Sequence, residues 1–250
     1  MPFAPLLQYL ERISPGFLQT VQGADAEQIA EAHTLSGGRL PTCYLEFLEA
    51  MGISTGRLKM KFAAFELTAL NRRNREERAQ YPPGLFMIGI GDNIMGTDFF
   101  LDLARSTRED APVVQSVARP DAPPMTFGRS FFGMVSDFAF WQLAIALKPH
   151  KQGAFIATSA DTDAGHLQFG RRLGDVLRRV GFTPALDIGD DGQLLERPDC
   201  NARVRTREGT TGVGFDLASD DLRPLQEVIA IVQDHMDEIG GTLRLRKKLE

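Results

Sequence analysis

Three carboxylates lie close together in a stretch punctuated by glycine, Gly89-Ile-Gly91-Asp-Asn-Ile-Met-Gly96-Thr-Asp-Phe-Phe-Leu-Asp102. Asp98 and Asp102 stand four residues apart, so on an extended strand they share a face. Such a pair suits two kinds of chemistry. One is acid/base work divided between two carboxyl groups. The other is non-covalent: the carboxylates cap turns, or together with Asn93 they offer a negative surface to a basic protein. The second reading is the expectation here. Asp92, Asn93, Asp98 and Asp102 are therefore the candidate partner-binding residues, and no catalytic or metal-ligating residue is assigned.

Other chemistry-bearing patterns fall short on spacing. The glycines at 89, 91 and 96 do not follow the Gly-x-Gly-x-x-Gly phosphate pattern, and the residues after them read as a strand rather than a helix N-terminus. Asp161-Thr-Asp163-Ala-Gly165-His166 opens like a calcium loop, but position twelve is Arg172 instead of Glu, so a capped helix start is expected. Asp187, Asp190 and Asp191 read as a solvated turn. His33, His150, His166 and His235 include no pair three or four apart, so there is no helical metal face. No Gly-x-Ser-x-Gly elbow is present. Cys43 and Cys200 are too far apart in sequence for a disulfide framework or zinc spacing, and both are expected reduced. Arg171, Arg172, Arg178 and Arg179 fall on one expected helix, with the pairs seven apart and on one face. That face could hold phosphate or an acidic protein, or could simply be solvated.

Composition narrows the partners. The chain has 250 residues and a net charge of −5, and acidic residues outnumber basic ones in both halves. The basic footprint of a nucleic-acid binder is missing. No run approaches the ~20 apolar residues that span a bilayer. The N-terminal residues do not read as a signal peptide. A cytoplasmic protein is expected, with no nucleic acid, no membrane and no cofactor.

The elements that must position the carboxylates can be read from periodicity. Helices are expected at 4–13, 26–35 and 41–51. Asp25 and Gln28 form a near-match to a capping box, Gly37-Gly38 stops the second helix, Pro41 opens the third and Gly52 closes it. A strand is expected at 58–62, a helix at 66–80, strands at 85–90, 99–103 and 113–117, and an apolar helix at 131–147. After Lys148–Gly153 the pattern restarts. It gives a strand at 154–158, a helix at 163–180, strands at 182–188, 203–207 and 212–217, and a last helix capped by Ser219 and ended by Gly240-Gly241.

The order of these residues carries a resemblance. Leu40-Pro41-x-x-Tyr44-x-x-Phe47-Leu48 lies in a helix pair. Gly91-Asp92, Gly96, Asp98 and Leu101-Asp102 follow, and Ser130-Phe131 opens a last helix. This series, over roughly residues 20–148, resembles the SUKH superfamily, which includes the yeast cell-wall-assembly regulator and many bacterial immunity proteins. Cys43 and Met51-Gly-Ile53 depart from the family pattern. The resemblance implies an α+β fold with a SUKH-like mixed helix/antiparallel-sheet domain at 1–150; the pattern that restarts after it reads as a smaller α+β domain at 151–250, outside the resemblance. The resemblance also implies a non-enzymatic immunity protein that neutralises a cognate toxin. The alternatives are a regulatory scaffold of the same superfamily, or an enzyme with its site in the second domain or between the two.

Overall fold

The computed structural model describes residues 3–59, 63–91, 97–158, 162–206 and 212–245. The fold is α+β, with two antiparallel sheets. The chain divides into two compact units, Met1–Val135 and Ser136–Glu250. The division falls inside a helix, earlier than the polar stretch at 148–153 suggested. That stretch enters a strand instead. Its His150 and Gln152 pair with Ser219 and Leu217 across the sheet, and the Gln152 side chain is buried.

In the first unit three helices precede the sheet: α1 (Ala4–Ile13), α2 (Ala26–Leu35) and α3 (Thr42–Met51). Asp25 and Gln28 make a full capping box at α2, each side chain accepting from the other's backbone N–H. Gly37 and Gly38 both have positive φ and stop this helix, as expected. Pro41 sits one position earlier than expected, as the N-cap of α3. It has no capping side chain, so the Thr42 and Cys43 amides donate instead to the carbonyls of Arg108 and Glu109, at 2.9 and 3.0 Å. Gly52 has an ordinary helical φ of −64°. Its small size serves close packing, since a Cβ there would collide with the Leu48 carbonyl and the Ala24 side chain.

The sheet of this unit is a meander in the order β1-β2-β3-β4-β5: β1 (Ala63–Ala64), β2 (Leu85–Gly91), β3 (Asp98–Asp102), β4 (Val113–Ser116) and β5 (Met125–Gly128). Helix α4 (Leu67–Glu76) covers one face, where Leu70 and Tyr81 pack on Leu85, Met87, Phe100 and Val114. On the other side, α3 and the start of α5 (Phe131–Phe140) build an aromatic core. Tyr44 meets Phe131 edge-on at 5.0 Å between ring centroids, and Phe47 meets the same ring at 5.1 Å. All five residues of β3 are buried, as befits a strand covered on both faces. Of the strand expected at 58–62, residues 60–62 lie outside the described set, and Leu58 and Lys59 are not in a strand. Strand β5 was not expected: it is only four residues long, Met125–Gly128, and directly follows the proline-rich loop.

The second unit contains β6 (His150–Thr158), α6 (Asp163–Arg179), β7 (Thr183–Leu186), β8 (Gly192–Arg197), β9 (Cys200–Thr206), β10 (Gly212–Ser219), α7 (Leu222–Asp234), α8 (Met236–Ile239) and β11 (Gly241–Leu245). The sheet order is β11-β6-β10-β9-β8-β7, with every pair antiparallel. One face packs against α6 and α7 through residues such as Ile156, Leu173, Val204, Phe215 and Val228. The other face carries a buried charge pair. Arg203 donates to Asp216 at 2.8 Å, reaches Asp137 at 3.3 Å, and lies 4.4 Å from the Trp141 ring centre. Strand β11 follows Gly240, whose φ of +78° ends α8; the Gly-Gly pair thus both stops a helix and opens a strand. Ser219 is not the cap of α7. Asp221 holds that position, and the Ser219 hydroxyl accepts from its amide.

Candidate functional site

The hairpin formed by β2 and β3 is gripped by α4. Leu67, Leu70, Asn71 and Asn74 give that helix its buried face. Asn74 acts as a surrogate strand: its amide donates to the Met87 carbonyl at 2.8 Å and accepts from the Met87 N–H at 2.9 Å. This contact sits where the β2–β3 register shifts, between Met87 and Gly89. The bulged strand thus has its backbone groups satisfied by a side chain.

Asp98 lies beneath the end of the hairpin and is 5% exposed. One carboxylate oxygen accepts from the Gly91 N–H at 2.9 Å. The other accepts from the Tyr81 hydroxyl at 2.6 Å and from Arg73 at 3.2 Å. Arg73 is in turn held by Glu77. Burial, with the hydrogen bond to Asp98, pushes the Tyr81 phenol well above its ordinary range, so it remains a donor. The arrangement is a charge-assisted clasp between α4, β2 and β3. Asp102 faces the same side, as the spacing required. Its carboxylate accepts from the Ala104 and Arg105 amides and from the Arg105 side chain at 2.6 Å, which closes the turn after β3.

Four residues along a strand separate the two aspartates by about 13 Å, too far to share a proton. Each carboxylate has its own arginine, so the pair does not form an acid/base dyad. Both are spent on internal bonds. Asp92 and Asn93 lie outside the described residues, as does Gly96.

Sequence reasoning passed over Asp110, on the β3–β4 connection. Its carboxylate accepts from the amides of Phe131 at 2.9 Å and Phe132 at 3.1 Å, while Ser130 accepts from Gly133. The same short loop therefore caps two helices, α3 through carbonyls and α5 through Asp110. Burial holds the Asp110 carboxyl above its ordinary value, and the hydrogen bonds from the Ala111, Phe132 and Phe131 amides offset only part of the rise. An isolated acidic residue in a charged loop carries no periodic signal, so only the fold places it.

The remaining candidates resolve simply. Cys43 and Cys200 are buried, and burial raises both thiols, Cys200 to about 11. Neither is a thiolate nucleophile. Asp161 lies outside the described residues; Thr162 caps α6 by accepting from the Gly165 amide, as a helix start requires. Arg171, Arg178 and Arg179 point outward and pair with Asp190, Asp175 and Glu238. Among the described residues no group of three His, Cys, Asp or Glu side chains is placed to hold a metal ion. No described helix is long and apolar enough to cross a membrane. No protein-family model matches the chain, and no curated protein matches it.

Proposed function

We propose that this chain is a non-enzymatic interaction protein, a SUKH-type immunity protein that binds a cognate toxin in the cytoplasm and blocks it by occlusion. The observation that carries the reading is the clasp under the β2–β3 hairpin. Three donors from three segments meet one buried carboxylate, Asp98, where the end of β2 faces the start of β3. A clasp that fixes these strand ends before a partner arrives lowers the ordering cost of binding there. Asp98 and Asp102 are then positioning residues, and Asp92 and Asn93 the contacts for a basic partner surface. The order of motif residues supports the same reading: Leu40, Tyr44, Phe47 and Leu48 form the core, and Ser130-Phe131 opens α5. Two lone buried thiols fit a reducing compartment.

The test is to tag the full chain, recover it from its own host with toxin genes induced, and identify what remains bound. The expected result is one protein partner whose toxicity is relieved by co-expression. Recovery of only a small molecule or nucleic acid, or a partner whose toxicity persists, would overturn the proposal.

A further inference from the structure

A cleft of about 370 Å³ opens in the second unit between α6 and the segment that joins β7 to β8. It belongs to none of the residues assigned above to partner binding. One wall is apolar, formed by Pro184, Leu186, Ile188 and Leu194. The opposite rim carries Arg171 and Arg178, two turns apart on one helix face. Gln193 lies at the floor, where its amide donates to the Gly170 carbonyl at 2.6 Å and accepts from Arg178 at 3.1 Å. Gly174 makes room for it, since a Cβ there would overlap the Gln193 amide. Gly170 and Gly174 stand four apart and bring α6 down onto β8 and β9.

We propose that this cleft binds a small amphiphilic anion, a carboxylate or phosphate head on an apolar body. The placement of donors supports it: two guanidinium groups stand on one rim, and of the nearby carboxylates Asp187 is taken up by the Gly189 amide. Asp190 and Asp175 hold the arginines in place at 2.7 and 3.4 Å. These pairs are exposed, and an exposed ion pair contributes only about 0–1 kcal/mol, so a ligand anion can displace it. A guanidinium also has five N–H donors and can serve both. The apolar wall argues against a bare inorganic ion, and the volume suits a ligand of modest size. A peptide strand is disfavoured. β7 is an edge, but Pro184 lacks a donor and the β7–β8 register shifts between Pro184 and Leu186.

The experiment is calorimetric titration of the full chain with octyl phosphate, octanoate, inorganic phosphate and octyl glucoside, all below micelle formation. Octyl phosphate and octanoate are expected to bind at one per chain, the neutral glucoside not at all, and inorganic phosphate at least about tenfold more weakly than octyl phosphate. Arg171→Gln and Arg178→Gln should each weaken octyl phosphate by about tenfold, the worth of one charged hydrogen bond. Arg172→Gln, on the same helix but outside the lining, should leave it unchanged. Asp190→Asn should tighten it by releasing Arg171. Absence of saturable binding, equal binding of the glucoside, or full binding by the double variant Arg171→Gln/Arg178→Gln would overturn the assignment.

Discussion

Asp98 is the residue on which the hairpin depends. Removing a buried, paired carboxylate leaves Arg73 and the Tyr81 hydroxyl without their acceptor, so Asp98→Ala should cost about 3 kcal/mol. Urea unfolding checks this, and partner binding should fall further than the folded fraction does, because the clasp that preorganises the ends of β2 and β3 is lost. Tyr44 gives a change of opposite sign. Its hydroxyl is buried with no hydrogen-bond partner among the described residues. A buried unmet donor costs about 1–3 kcal/mol, so Tyr44→Phe should raise stability by about 1 kcal/mol in the same assay. Cys200 sets an alkaline limit. Its thiol is raised from 9.0 to about 11 on folding. A raised pKa contributes stability that is complete below the unfolded value and is lost as pH climbs through the folded one. Stability should therefore decline between about pH 9 and 11, and Cys200→Ala should remove that component of the slope in denaturation curves recorded across the range.

At the scale of elements, the loop between β3 and β4 does more than its sequence advertises. Asp110→Ala removes the acceptor for the first amides of α5 and should destabilise the chain by about 1–2 kcal/mol, with an unchanged denaturant slope. The readable elements were those with local causes. The capping box at Asp25, the glycine stop at 37–38 and the apolar periods of α3, α6 and α7 need no partner to be recognised. The elements that were not expected depend on distant partners. β5 and β11 are edge strands whose identity comes from pairing with β4 and β6. In the same way, the spacing placed Asp98 and Asp102 on one face, but not the arginines that occupy them. Arg73 is one of four arginines between residues 72 and 78, and only α4 laid across the sheet singles it out.

The whole molecule holds two units with separate cores, and the boundary shows how a sequence misleads. Lys148–Gly153 has the polarity and proline of a linker, yet β6 begins at His150 because β10 supplies its hydrogen bonds. Conversely, the run from Phe131 to Leu147 reads as one helix. It becomes α5 and then a π-helical segment, Trp141–Ile145, whose Trp141 ring stacks over Arg203. Nothing local announces a stacking partner so far along the chain. The proposed role is occlusion of a toxin, and occlusion makes a stoichiometric demand on binding. The most direct measurement is titration of the captured partner's toxic activity with the full chain. The account predicts a linear loss of activity to an end point at a fixed molar ratio, with the partner recovered chemically intact. Activity abolished at ratios far below stoichiometric, with the partner cleaved or modified, would contradict it.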